Sequence, residues 1–270
     1  MPGKIIHTLG WPADYKTYGG SFIYHLDQDR IALGYVSGLD YSDPDYKPWE
    51  AFQQWKNHPT IKPLLDGGSI ISAGARAIVT GGWQSLPKVE MPGALLIGDT
   101  AGLLNVPKIK GTHQAIRSGM LAAEHLIASS LMSEGFDSKL RASDAMAELK
   151  QVRNIKPGFK RGLWLGMLNA AWETLTRGAS PWTLKNKADW SSLDKLGTHE
   201  QPKRDYLERT LAPRDRLASV YFATTEHDED QPVHLRVRDT SICVTTCTEE
   251  YGNPCIRFCP VGVYEIVDDM

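Results

Sequence analysis

Two kinds of hydrophobic spacing alternate along the chain. In the first ninety residues apolar and aromatic positions come in short runs, 21–24 (SFIY) and 31–36 (IALGYV), bounded by Gly, Asp and Ser, which is how strands are punctuated. Residues 48–58, with Phe52 and Trp55 three apart, carry helical spacing, and a second small strand set is expected at 69–71 and 77–79, ahead of Gly81-Gly82. From residue 93 the pattern changes. Residues 93–99 (GALLIGD) form an unbroken apolar run ending in Gly-Asp, and beyond it Ile116, Met120, Ala123, Ile127 and Leu131 recur at helical spacing. The prediction is strand, loop and long helix, with Thr112 as N-cap, then a short helix over 143–149. Residues 203–216 read as polar linker or surface, and 219–222 and 234–237 read as strands around an acid-rich loop at 226–230.

Composition changes sharply between residues 150 and 187. Eight Lys or Arg face a single acid, Glu173, and Trp164, Trp172 and Trp182 lie within the stretch, with Trp190 just beyond. Residues 162–172 (GLWLGMLNAAW) are too short to cross a bilayer, yet Lys156, Lys160, Arg161 and Arg177 flank them. Apolar body, basic edges and Trp anchors describe a helix lying in a membrane interface; a core helix with charged ends would look the same. Globally the chain is ordinary. It carries a net charge of −2 and 41% hydrophobic residues, so it lacks the basic excess that would point to nucleic acid. No stretch of eighteen apolar residues suggests a transmembrane helix, and the first residues lack the apolar core of a signal peptide. The expectation is a protein of 270 residues with one to two domains, kept on the cytosolic side.

Two segments carry candidate chemistry. A buried strand ending at Gly98-Asp99 places a carboxylate at the sheet's carboxyl edge, where α/β folds bind cofactors, and the helix start that follows can face a pyrophosphate or a flavin. The fingerprint G-x-G-x-x-G is absent from the chain. The second segment holds all four cysteines, Cys243, Cys247, Cys255 and Cys259, spaced C-x3-C-x7-C-x3-C. In a reducing compartment such clustering favours metal over disulfide. Cys259-Pro260 has the form of the isolated ligand of a 4Fe-4S cluster, which commonly draws its other thiolates from a C-x2-C-x2-C run. A self-contained cluster or zinc site from the four cysteines is the alternative.

The runs HTLGWP (7–12), YGGSFIYHL (18–26), LGYVSGLDY (33–41), GGWQSLPK (81–88), VPKIKGTHQAIRSGMLAAEHL (106–126), PWTLKNK (181–187), HDEDQPVHL (227–235) and RFCPVGVYEIV (257–267) resemble, in order, the electron transfer flavoprotein-ubiquinone oxidoreductase family. The resemblance implies a mixed α/β and α+β fold: a partial FAD-binding domain of the glutathione-reductase kind interleaved with a mixed-sheet ubiquinone-binding domain, plus a truncated ferredoxin-like 4Fe-4S domain. The expected division is a ubiquinone domain over 1–90, a returning segment of the FAD domain over 91–150, a membrane-surface segment over 151–196 and a cluster domain over 197–270.

By the same resemblance, Gly19 and Gly20 border the ubiquinone head group, where the lack of a Cβ lets main chain approach a flat quinone. Gly98 and Asp99 hold the ribityl and phosphate region of FAD, and Gly111 and Thr112 bring a helix start toward the isoalloxazine. Cys259 is the one cluster ligand, and the other three cysteines are packing thiols. Implied partners are electron transfer flavoprotein, ubiquinone and a membrane surface held peripherally, with no nucleic acid. Implied locations are the cytoplasmic face of a bacterial inner membrane or the mitochondrial inner membrane. Since the family's glycine-rich loop and remaining cysteines do not occur in the chain, it reads as an internal piece with exposed sheet edges and apolar surface. Rival readings are a cluster-free flavoprotein reductase acting on a lipid or isoprenoid, and a non-catalytic fragment that binds membrane or metal.

Overall fold

A computed structural model describes residues 2–198, 216–224, 226, 228, 230–232 and 236–265. The chain divides into two compact units, Met1–Arg76 with Ala188–Met270, and Ala77–Lys187. The fold is mixed α/β with small sheets.

In the first unit β1 (Ile5–Leu9), β2 (Gly19–His25) and β3 (Ile31–Ser37) form an antiparallel meander, with Ile23 paired to Ile6 on one side and Leu33 on the other. The runs at 21–24 and 31–36 are therefore strands as expected. Helix α1 (Pro48–Lys56) opens with Pro at its first turn, where the missing N–H costs nothing, and buries Trp55 against Ile23 and Ile61. Trp55 also donates its indole N–H to Thr8 Oγ1 at 3.2 Å, tying helix to sheet. A second small core joins Tyr41, Tyr46 and Ala51, with Leu193 of the returning chain packed on it.

Residues 69–76 end the first segment of the first unit, and the second unit begins at Ala77. The expected strand set at 69–71 and 77–79 is not formed: these residues join no ladder among the described residues, since no partner strand lies beside them. The expected continuous strand over 93–99 is also shorter than its apolar run. Only β4 (Glu90–Met91) and β5 (Ala94–Leu95) pair, as a two-residue antiparallel ladder, and Gly98–Ala101 turns as a single 3-10 coil. Apolar composition permits a central strand, but a strand needs neighbours to receive its N–H and C=O groups.

Helices supply the rest of this unit. They are α2 (Thr112–Ala128), α3 (Phe136–Arg141), α4 (Asp144–Val152), the single turn α5 (Ile155–Gly158) and α6 (Leu163–Leu175). The N-cap of α2 is Gly111 rather than Thr112, and no side chain caps it. The core joins Val89, Leu103, Phe136, Leu140, Met146 and Leu149, so α3 and α4 deliver most of the buried apolar surface. In the C-terminal part, residues 216–221 are helix α7 (Arg216–Tyr221) instead of the strand expected near 219–222. Most of the polar stretch 203–216 and half of the run 234–237 lie outside the described residues.

Candidate functional site

Four of the expected cofactor residues meet in the second unit. Gly98 is buried with a φ of 56°, a left-handed conformation that glycine adopts without strain, and its N–H donates to Ser118 Oγ at 3.0 Å. Ser118 in turn donates to Gln114 O, so the turn carrying Asp99 is pinned to the side of α2. Asp99 itself is exposed. Its carboxylate lies against Gly111, close enough that a Cβ there would sit 2.5 Å from Oδ1. An exposed carboxylate acceptor thus stands beside an uncapped helix start, with Thr112 as its first residue. This donor and acceptor set suits a polyhydroxylated chain and an electron-rich ring, so the residues fit part of a flavin site.

The loop that delivers Gly111 is anchored from below. Glu148 of α4 accepts from Asn105 Nδ2 at 2.6 Å, Lys108 Nζ at 2.8 Å and His113 Nε2 at 3.0 Å, and Arg117 lies 3.6 Å away. Partial burial opposes ionisation of Glu148, but the hydrogen bonds from Lys108, His113 and Asn105 outweigh it and bring its pKa to about 2. Glu148 was invisible to motif reading because its partners lie 31 to 43 residues away in sequence.

Gly19 and Gly20 open β2 in the first unit. Gly20 pairs with Leu9 and Gly19 with Ser37, and any Cβ would strike the carbonyl oxygen of Val36 or of Thr8. The sheet itself therefore demands both glycines. The same unit holds a tyrosine group: Tyr35 and Tyr46 share a 2.6 Å hydroxyl hydrogen bond, and the Tyr41 and Tyr46 rings lie 5.0 Å apart. Burial, then the neighbouring Tyr46, pushes the Tyr41 phenol up to about 12 and the Tyr35 phenol higher still, so both stay protonated.

Cys259 follows helix α8, a single turn over Cys255–Phe258, and is buried. Its sulfur receives the Val263 N–H at 3.5 Å. Arg257 reaches Asp45 at 3.3 Å, which ties this region to the first ninety residues, and Lys195 reaches Glu250 at 2.7 Å. Burial, then Cys255 and Cys243, raises the Cys247 thiol. Among the described residues no group of three or more His, Cys, Asp or Glu side chains is placed to hold a metal ion. A 4Fe-4S cluster takes four thiolates as a rule, so the described residues alone do not fit one.

Helix α6 is turned inside out. Gly166 and Glu173 are its buried residues, Glu173 at 1% exposure, while Trp164, Leu165, Met167, Leu168, Trp172 and Leu175 are exposed, Trp164 at 75% and Leu175 at 82%. Buried polar groups hold it there. Asn154 donates to Glu173 Oε1 at 3.1 Å and to Trp182 O at 3.0 Å, and Asn169 donates to Asn154 O at 2.9 Å. Neighbouring Arg153, also buried, gives its five donors to Lys150 O, Gly178 O, Ser180 O, Trp182 O and Thr183 Oγ1. Among the described residues no helix is long and apolar enough to cross a membrane.

Residues 1–78 match the family described as "ETF-QO, ubiquinone-binding", and residues 211–270 match that described as "Electron transfer flavoprotein-ubiquinone oxidoreductase, 4Fe-4S". The chain is 45% identical over 287 residues to the mitochondrial electron transfer flavoprotein-ubiquinone oxidoreductase of Sus scrofa, covering 98% of this chain and 46% of that protein. The Homo sapiens protein of the same name is 45% identical over 289 residues, with the same coverage. That of Arabidopsis thaliana is 45% identical over 278 residues, covering 99% of this chain and 43% of the relative. The chain spans about half the length of the curated relatives it matches.

Proposed function

Since the chain belongs to the electron transfer flavoprotein-ubiquinone oxidoreductase family, we propose that it serves the transfer of electrons from reduced electron transfer flavoprotein to ubiquinone, with FAD and a 4Fe-4S cluster as the redox groups. The observation that carries this reading is the match along 98% of the chain, spanning both the ubiquinone-binding and the cluster segments.

In this reading Asp99 accepts from the flavin's ribityl hydroxyls, Gly98 fixes the turn that presents it, and Gly111 with Thr112 offers the helix start to the isoalloxazine. Their finer setting is a partial FAD domain of the glutathione-reductase kind. FAD supplies the electron-accepting ring, and the protein's task is to hold and orient it. Gly19 and Gly20 border the quinone. Cys259 takes one ligand position of the cluster, and the remaining ligands are not among the described residues. The division into ubiquinone (1–90), FAD (91–150), membrane-surface (151–196) and cluster (197–270) segments belongs to the same reading.

The membrane surface is reached through α6. An exposed face of Trp and Leu above a buried Glu173 has the distribution expected of a helix resting on lipid, on the cytoplasmic face of a bacterial inner membrane or on the mitochondrial inner membrane.

The test is binding by the purified full chain, followed by intrinsic Trp fluorescence, with FAD and with a short-chain ubiquinone analogue. Both ligands are expected to bind, and Asp99→Ala is expected to weaken FAD about tenfold, as loss of a hydrogen bond to a charged group would, while leaving the quinone analogue unaffected. A chain that binds neither removes the reading.

A further inference from the structure

We infer that the outer half of α6 and the adjoining residues 178–187 form a docking surface for an anionic phospholipid bilayer, with Lys160, Arg161, Arg177 and Lys185 taking the headgroup phosphates. This rests on the membrane reading given above and adds the chemistry of the lipid.

Geometry comes first. Thirteen residues of α6 extend about 20 Å, short of the ~30 Å hydrocarbon core, so the helix can lie on a bilayer and not span it. Its exposed half is apolar except for Thr174, and the chain returning after it adds a third exposed ring, Trp182. That return is not a loose tail. Arg153 clamps the carbonyls of Gly178, Ser180 and Trp182, and Trp172 donates its indole N–H to Ser180 Oγ at 3.2 Å. Trp172 and Trp182 are thereby held on one platform by a buried polar layer beneath them.

Charge selects the occupant. Between residues 150 and 187 the sole carboxylate is Glu173, and it is buried, so every exposed charge in the stretch is positive. Lys160 bridges to the platform by donating to Lys185 O at 3.3 Å. The whole unit Ala77–Lys187 carries fourteen Lys and Arg against eight Asp and Glu, whereas the rest of the chain is acidic. A second copy docking by this face would bring two basic rims together. An anionic leaflet instead meets the apolar half with acyl chains, the indoles with the headgroup level and the rim with phosphate.

The experiment is partitioning of the full chain onto phosphatidylcholine vesicles with and without phosphatidylglycerol, at low and high salt. Binding is expected to be at least tenfold stronger with the anionic lipid, on the basis of about fivefold per basic residue near the surface, and to fall with salt. The variant K160Q/R161Q/K185Q is expected to lose this preference while keeping its affinity for phosphatidylcholine and its circular dichroism. Equal binding to both lipids, or an unaltered preference in the variant, overturns the anionic inference and leaves the membrane reading standing. Absence of binding to either vesicle, with or without concentration-dependent dimers in sedimentation, overturns both.

Discussion

Helices α2 and α6 share an inversion and differ in what surrounds it. Each turns polar residues inward: Gln114 and Ser118 in α2, Glu173 and the Asn154 layer in α6. Each leaves apolar residues outside, Ile127 at 80% exposure in one and Leu175 at 82% in the other. In α2 the exposed apolar residues form a narrow aliphatic stripe, Ile116, Met120 and Ile127, bordered by Arg117 and Glu124, with no aromatic ring. In α6 they cover half the cylinder, include two Trp, and are bordered only by cations. A narrow stripe between opposite charges suits packing against another polypeptide. A wide Trp-bearing face with one sign of charge suits lipid. Inversion alone therefore says that a face is covered, and the rim says by what.

The largest effect tests the layer that inverts α6. Arg153→Met removes five hydrogen bonds beneath the platform and takes their arginine donor from the Gly178 and Ser180 carbonyls, so a loss of about 4 kcal/mol is expected in urea unfolding. Unchanged stability would mean that the buried layer does not hold the helix. Next comes the surface itself. Trp164→Ser with Trp172→Ser is expected to lower partitioning onto vesicles by tenfold or more, while Ile116→Ser with Ile127→Ser leaves it unaltered. Equal losses from the two helices would erase the distinction between them.

A smaller effect probes the anchor under α2. Glu148→Gln is expected to cost about 2 kcal/mol, since it removes the charge that Lys108, His113 and Arg117 share. The sign with pH follows from the depressed pKa. Above the ordinary carboxylate pKa near 4.5 the full stabilisation is present, and it is lost as the pH falls toward about 2. The wild-type chain is expected to weaken over that window and the Gln variant to show a correspondingly flatter profile in acid unfolding. The smallest effect is Ile127→Lys, expected within about 0.5 kcal/mol of wild type because the side chain touches little.

Much of the local structure was legible. Alternating apolar runs bounded by turn formers marked β2 and β3, and Phe52 with Trp55 marked α1. The spacing of Ile116, Met120, Ala123 and Ile127 marked α2, and the Trp-bearing run marked α6. Where expectation failed, the missing element was a neighbour. Residues 93–99 have the composition of a central strand but pair only over Ala94–Leu95, and residues 77–79 pair with nothing among the described residues. The run at 219–222 is apolar enough for either state and became helix. The family resemblance named Gly98, Asp99, Gly111 and Thr112 from two separate stretches, and the Asp99 carboxylate does lie against Gly111. Motif reading passed over Glu148, Arg153 and Asn154, which look like ordinary surface residues in a helical segment until their distant partners are seen.

Periodicity by itself determined the helical spacing of α1, α2 and α6, composition located the basic and tryptophan-rich stretch, and the ordered motifs from 7–12 to 257–267 carried the family resemblance. Tertiary structure decided which way each helix faces. Angular spacing along a helix is a local property of 3.6 residues per turn, whereas the buried side is chosen by groups that arrive from elsewhere in the chain. For α6 those groups are Arg153 and Asn154, which bond to residues up to 30 positions away and place a carboxylate inside and indoles outside.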